Sequence, residues 1–334
     1  RYGTVTGVQT CALPISPLEE VQEALAPHGQ WLAVDPPFQA SGGSGQGSIG
    51  GLVARGLAGG YRERYLGVRD QLIGLRLLRA DGVEAKAGGK VVKNVAGYDL
   101  MRLLCGSWGS LGLITEVTLR TLPLPPQRCG LLVSGPLQAL MAARGALVRS
   151  GLTPERLDLW SAALATAAGQ GDAPLLLVGL ASADAASLEA QASAVATVLA
   201  AAKGTGAVAL APRRCGASDL AVLLARARQG QGEERPTLAP ASSNNQPGDS
   251  LPWLLRLGVT PSRCGDLLTH PALGDWAVNL AVGTGLGLAW ANAAWPEEGV
   301  QALRQRCREL GGHLTVLRRP ESADPQAANI ALPA

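Results

Sequence analysis

Apolar residues recur along this chain with two different periods, and the switches between them outline its elements. Leu18, Val21 and Leu25 fall at helical spacing. Ser16, Pro17 and Glu19 supply an N-cap, a first-turn proline and a capping-box acid, and Gly29 is placed to end that helix in a left-handed conformation. Residues 31–34 read as a short buried strand, stopped by Asp35-Pro36-Pro37, where two prolines remove donors and fix φ. Ile73, Leu75 and Leu77 share one face of a strand, Asp81-Gly82 offers a hairpin turn, and residues 83–87 run back. Asp99 is positioned to cap a short helix carrying Leu100, Leu103 and Leu104, which Gly106 terminates. Leu113, Thr115, Val117 and Leu119 then alternate with Ile114, Glu116, Thr118 and Arg120, the pattern of a strand with one buried face. Pro123, Pro125 and Pro126 close this unit.

Beyond Gln127 the pattern changes to alanine-rich helical stretches between short aliphatic runs. Strands are predicted at residues 131–133, 175–180, 254–259 and 314–317, and helices at 137–150, 185–202 and 297–310. Helices on one side of a mainly antiparallel sheet would bury those strands. Residues 229–250 are polar, contain glycine and proline, lack periodicity and read as a loop. The apolar stretch 276–295 is about long enough to cross a bilayer. Gly283-Thr284-Gly285 in its middle, with Asn279 and Asn292 on either side, instead predicts two strands joined by a tight turn.

Composition narrows the function classes. The 334 residues suffice for two cores. Lysine plus arginine number 29 against 26 for aspartate plus glutamate, no block of one sign stands out, and aromatic residues make up 4%, so neither a phosphate-binding stripe nor a base-stacking platform is in view. Six scattered cysteines contain no C-x-x-C pair to gather a metal and read as reduced, structural thiols.

The densest chemical signal is residues 41–60, SGGSGQGSIGGLVARGLAGG, where missing side chains let backbone N–H groups approach a ligand and a helix is expected to begin near Ser48. Gly45 to Gly50 fit G-x-G-x-x-G, with Asp70 at a suitable distance to hold a ribose. A Rossmann turn needs a hydrophobic strand running into its first glycine, and the Asp35-Pro36-Pro37-Phe38-Gln39-Ala40-Ser41 that precedes this one is no central strand. Gly88-Gly89-Lys90 lacks the hydroxyl that a P-loop places next, since Val91 stands there.

Six pieces in order carry a more specific resemblance: Asp35-Pro36-Pro37; Ser48-Ile49-Gly50-Gly51-Leu52-Val53-Ala54; Tyr65-Leu66-Gly67-Val68-Arg69-Asp70; Asp81-Gly82; Lys93-Asn94-Val95-Ala96-Gly97-Tyr98-Asp99-Leu100; and residues 106–116, GSWGSLGLITE. Together they resemble the second half of the FAD domain of the vanillyl-alcohol-oxidase, PCMH-type superfamily of FAD-linked oxidases. The KNVAGYDL segment narrows this to the glycolate oxidase FAD-binding subunit family. The resemblance is strong over residues 17–123 and weak beyond, through Gly311-Gly312-His313-Leu314. It implies an α+β protein: a PCMH-type FAD-binding domain, incomplete at its N-terminus, over 17–123; a proline-rich linker, 124–130; an α+β cap domain with a mainly antiparallel sheet, 131–320; and a tail, 321–334. Residues 5–15, VTGVQTCALPI, are similar to a translated sequencing-library adapter, so residues 1–16 are set aside, a short genuine strand with a loop being the alternative.

FAD is the cofactor the resemblance implies. A diphosphate would meet Gly47, Ser48, Ile49, Gly50 and Gly51 at a helix start. A flat, dry slot for the isoalloxazine would be lined by Pro36, Pro37, Ile49, Ala54 and the backbone from Gly109 through Ser110 and Gly112 to Ile114, and Asp35, Gly59, Gly67, Arg69, Asp70 and Gly106 complete the expected cofactor-binding residues. Trp108 departs from the acidic or aliphatic residue that the family often has between its glycines. Arg55, Arg62, Arg64 and Arg69 follow the glycine loop; most read as solvated, and Arg69 with Asp70 as a structural ion pair.

Oxidation of a 2-hydroxy acid needs a base for the hydroxyl proton, usually a histidine with partners. His28, His270 and His313 stand apart, and His313 reads as a packing residue. The scattered histidines favour an electron-relaying or non-catalytic FAD-binding subunit, and the resemblance implies that it serves glycolate oxidation together with a separate catalytic flavoprotein and an iron–sulfur subunit. It would be cytoplasmic, with no nucleic-acid partner and no transmembrane segment, and would reach the inner face of the membrane only through its partners. A stand-alone 2-hydroxy-acid dehydrogenase and a flavin-free scaffold are the rivals. The resemblance leaves the family's first diphosphate-cradling loop and its closing segment without a counterpart here, which implies that this chain binds FAD weakly or not at all and that upstream sequence would restore binding.

Overall fold

A computed structural model describes residues 9–37, 47–89, 98–202, 210–229, 231, 253–291 and 297–319. The described chain divides into a first unit that ends at Leu124 and a second that begins at Pro125.

In the first unit, β1 (Gln9–Ala12), β5 (Leu113–Arg120), β3 (Leu72–Leu78) and β4 (Glu84–Gly88) form one sheet in that spatial order, and β2 (Gln30–Trp31) pairs with β6 (Leu122–Pro123). Every one of these pairings is antiparallel. The helices are α1 (Leu18–Leu25), α2 (Ile49–Arg55), α3 (Arg62–Tyr65), α4 (Val68–Gln71) and α5 (Met101–Leu104). One core joins Leu18, Val21 and Leu25 of α1 to Ile49, Leu52 and Val53 of α2 and to Leu72, Leu75, Val117 and Leu119 of the sheet. The helical spacing read from α1 thus marks its buried face.

Within the segment set aside at the start, β1 pairs with β5, Ala12 joins the core, and the Cys11 thiol lies 3.3 Å from the Thr118 hydroxyl. Several local expectations are corrected. Helix α1 has no side-chain cap, and the Ser16 carbonyl accepts instead from Ile49 N–H at 2.9 Å. Only Gln30 and Trp31 pair as a strand. Leu32 to Val34 are buried without a ladder, and the Gln22 amide binds both backbone groups of Leu32. Asp99 does not cap α5 through its side chain but pairs with Arg102. In β5 a register shift opposite Arg76 and Leu77 breaks the alternation, so Ile114 is buried with Val117 and Leu119 while Leu113 is exposed. One extra residue in a ladder turns the following side chains to the other face.

Among the described residues, the second unit holds eight antiparallel strands in the order β10 (Arg213–Gly216), β7 (Gln127–Ser134), β9 (Leu175–Ser182), β8 (Arg156–Trp160), β12 (Ala277–Ala281), β13 (Leu286–Ala291), β11 (Trp253–Gly258) and β14 (His313–Arg318). The helices are α6 (Leu137–Arg149), α7 (Ala162–Ala167), α8 (Ala185–Ala201), α9 (Ala217–Gln229), α10 (Cys264–Leu268) and α11 (Glu297–Glu309). Residues of α6, α8, α10 and α11 share a core with Leu131, Leu159, Leu176, Val278 and Leu255. The apolar stretch that begins at Trp276 forms, as far as Ala291, the hairpin of β12 and β13, turning at residues 282–285. Strand β7 begins inside the segment expected to be linker. The helices are also not confined to one side. A Cβ on Gly130 would lie 2.8 Å from the Cys215 sulfur and 3.0 Å from Leu220 of α9, on the face opposite Cys129, which packs with α6 and α8. The loop expected at 229–250 lies, but for Gln229 and Gln231, outside the described residues. Among the described residues no helix is long and apolar enough to cross a membrane.

Candidate functional site

The sequence signals converge on α2, a helix of seven residues and about 10 Å. Its start carries Gly47 to Gly51. The Ser48 hydroxyl accepts from Gly51 N–H at 3.1 Å, a side-chain N-cap at the expected helix start. The next two orphan donors are also taken: Ile49 N–H reaches the Ser16 carbonyl at 2.9 Å, and Gly50 N–H the Pro14 carbonyl at 2.8 Å. Gly50 is a glycine because the chain's own backbone arrives there, since a Cβ would lie 2.7 Å from that of Pro14. Ile49 is fully buried in the core. Among the described residues no acceptor is found for the N–H groups of Gly47 and Ser48, one exposed and the other half-buried.

The far end of α2 is closed by the second glycine cluster. Gly106 N–H donates to the Val53 carbonyl at 3.0 Å and Trp108 N–H to the Ala54 carbonyl at 2.9 Å, so residues 106–108 satisfy the last turn of the helix. Ser110 spends both its N–H and its hydroxyl on the Ser107 carbonyl. A Cβ on Gly112 would meet the Leu78 carbonyl at 2.9 Å, while around Gly109 there is open space. Ile114 faces the core, so only its backbone is left to line a slot.

The Asp35 carboxylate is an internal clamp. It is buried and accepts from Gly59 N–H at 3.1 Å and Tyr61 N–H at 3.3 Å. Gly59 packs so tightly on it that a Cβ would lie 2.5 Å from the Asp35 carbonyl. The clamp seats Tyr61 edge-on against Trp31, at 5.0 Å between centroids, with Tyr65 on the same indole. Pro36 is half-buried and Pro37 buried beside it. Asp70 likewise serves the fold, its carboxylate accepting from Gly67 N–H at 3.1 Å at the start of α4. The expected Arg69–Asp70 ion pair is not formed among the described residues, and Arg69 is exposed. Arg62 lies against Gly67, whereas Arg55, in the last turn of α2, is held below its ordinary pKa by burial. The KNVAGYDL segment is described only from Tyr98 on, and Tyr98 is exposed.

The second unit holds a polar row that the sequence did not reveal. Arg156 and Asp158, both buried, pair at 2.8 Å on β8, and Arg128 grips the buried Glu155 with two guanidinium nitrogens. In register beside them stand Trp160 and Asn279, whose indole N–H and amide oxygen find no partner among the described residues. Of the histidines, His270 accepts from Ala272 N–H through Nδ1, and His28 is exposed. His313 lies against Gly258, where burial, and secondarily Arg256, lower its pKa.

An antiparallel unit with glycine clusters at both ends of one helix is not a Rossmann arrangement. Residues 14–88 match the family model described as FAD binding domain. The first unit contains an FAD-binding domain. That FAD-binding domain is similar to known proteins over limited spans. Glycolate oxidase subunit GlcE of Escherichia coli is 43% identical over 110 residues, covering 33% of this chain and 30% of that protein. Glycolate oxidase subunit GlcD of Bacillus subtilis is 44% identical over 86 residues, 25% of this chain and 18% of that one. D-2-hydroxyglutarate dehydrogenase of Xanthomonas citri pv. viticola is 39% identical over 127 residues, 37% and 26% respectively. The chain spans less than a third of each of these relatives. An alkyldihydroxyacetonephosphate synthase structure overlays with a TM-score of 0.62 at 14% identity, over 93% of this chain and 61% of that one, and shows a shared fold.

Two parts of the expected cofactor cradle differ in their fit to FAD. The 106–112 loop leaves open space at Gly109, as a flavin edge requires, while the N–H groups of residues 106–108 and 110 are spent within the chain and Gly112 packs on Leu77 and Leu78. At the start of α2 the donors that remain for an anion are those of Gly47 and Ser48, because Ile49, Gly50 and Gly51 are engaged within the chain.

Proposed function

We propose that this chain is the FAD-binding subunit of a multi-subunit glycolate oxidase or dehydrogenase, which oxidises glycolate to glyoxylate with a separate catalytic flavoprotein and an iron–sulfur subunit. The observation that carries the reading is the two-ended arrangement on α2: amides of Gly47 and Ser48 that find no acceptor among the described residues at its start, and open space at Gly109 in the glycine loop that closes its end. When bound, FAD supplies a two-electron acceptor for the hydrogen of a CH–OH carbon. The chain's own part is to bind and orient it. Gly47 and Ser48 would donate to the diphosphate, and the backbone of Gly106, Gly109 and Gly112 would border the ring. Asp35 and Gly59 act one step back by fixing the turn that follows α2. The likeness to glycolate oxidase subunits and to D-2-hydroxyglutarate dehydrogenase supports a small 2-hydroxy acid as substrate of the assembly. The protein would work in the cytoplasm or, held by its partners, at the inner face of a membrane.

The test is to titrate the purified chain with FAD, then assay glycolate oxidation with an artificial electron acceptor, with and without the two partner subunits. Flavin binding together with turnover that needs the partners is the expected result. Turnover by the chain alone would assign it as a stand-alone dehydrogenase. Absence of flavin binding, with the complex still depending on the chain, would assign it as a scaffold.

A further inference from the structure

Trp108 is one of two non-glycine residues with positive φ among the described residues, at 56°, the other being Leu66. A bulky aromatic residue in this region is a conformational outlier, and glycine would hold the same backbone at lower energy. The backbone need is plain: with Gly106 at φ 84° and Gly109 at φ 82°, the loop turns its N–H groups onto the carbonyls that end α2. That accounts for the conformation and leaves the choice of tryptophan unexplained. The indole is half-buried, and no acceptor among the described residues takes its N–H. Space is open beside it at Gly109, and the neighbouring apolar residues Leu111, Leu113 and Leu103 are 53%, 66% and 64% exposed.

We propose that Trp108 is a ligand-contacting residue whose indole packs on the isoalloxazine of bound FAD, the strained backbone being retained to place it there. The inference rests on the functional reading above and sharpens it to one side chain and one half of the cofactor. An indole against a flat aromatic ring gains from stacking beyond the area it covers.

The experiment titrates the chain and its Trp108→Phe, Trp108→Leu and Trp108→Gly variants with FAD and, separately, with ADP, and records a melting temperature for each. Trp108→Phe is expected to stay within about two-fold of the unsubstituted chain, while Trp108→Leu and Trp108→Gly lose FAD affinity by about three- to ten-fold. ADP binding should not change, and Trp108→Gly should melt no lower than the unsubstituted chain because its backbone strain is relieved. Equal FAD affinity in all four proteins overturns the inference while leaving the functional reading intact. A parallel loss of ADP binding overturns it as well, by placing the contact on the adenosine half. No FAD binding by the unsubstituted chain overturns the functional reading and this inference together.

Discussion

Gly50 and Gly51 are adjacent in the most glycine-rich turn of the chain, and the structure gives them opposite tolerances. Adding a methyl group at Gly50 sets its Cβ 2.7 Å from the Pro14 Cβ and 3.0 Å from the Pro14 carbonyl oxygen, well inside the 3.5 to 4.0 Å of an ordinary carbon contact. Overpacking of this kind costs about 1–3 kcal/mol. Displacing the 13–16 turn also weakens the Gly50 N–H to Pro14 bond, worth about 1 kcal/mol. Alanine regains about 1 kcal/mol of helix propensity, so Gly50→Ala should be destabilised by about 1–3 kcal/mol. At Gly51 the new Cβ would meet only the Ser48 hydroxyl, at 3.3 Å, and Gly51→Ala should be neutral or stabilised by up to about 1 kcal/mol. Urea unfolding of the two variants, read as midpoint shifts at constant slope, measures the difference. If the midpoints coincide and Gly50→Ala loses only FAD affinity, then a ligand rather than Pro14 occupies that space, and the assignment of these amides to the chain's own backbone is wrong.

Other perturbations follow from single contacts. Asp35→Ala strands the N–H groups of Gly59 and Tyr61 and should cost about 2–4 kcal/mol, with Asp35→Asn recovering part of it; equal denaturation midpoints for Ala and wild type would remove the clamp. Ser161→Ala deletes a buried hydroxyl that accepts from Leu164 and Val278 N–H and donates to the Trp276 carbonyl, and should cost about 2–3 kcal/mol in the second unit. A thiol reagent should label Cys11 and Cys105 in the native protein and spare Cys264 and Cys307, whose pKa values burial pushes up to about 12 and about 11; mass mapping of labelled peptides decides it. His313 has a folded-state pKa below its ordinary 6.5, so the unfolded chain takes up its proton first as pH falls. Its contribution is complete above that value and is lost as pH drops through the lowered one; His313→Asn should flatten this acid limb of the stability profile.

How much was legible depended on how local the cause was. Helix α1 and strand β3 in the first unit, and strands β9 and β11 in the second, announce themselves because periodic apolar residues meet the core of their own unit. The hairpin of β12 and β13 was readable because Gly283-Thr284-Gly285 offers a tight turn midway along the apolar stretch. Strand β8 was missed, since Arg156, Asp158 and Trp160 look like a surface alternation until their burial is known. Strand β5 misled in detail, because its face is set by a bulge against β3 that no single strand encodes. In the site, the glycines were found but their neighbours were not. Sequence shows that a Cβ is missing, not what fills its place, and at Gly50 and Gly59 the occupants are Pro14 and Asp35, far off along the chain. Trp108 was noticed as an unusual residue, yet its positive φ came only from the loop's closure on α2.

Strand β1 covers the outer hydrogen-bonding row of β5 and so acts as a selvedge for a sheet that would otherwise fray into solvent. Trimming the polypeptide to begin at α1 would bare that row and offer it as a template to strands of other molecules. A shortened preparation would then tend to clump through main-chain pairing, whatever the merits of its flavin chemistry.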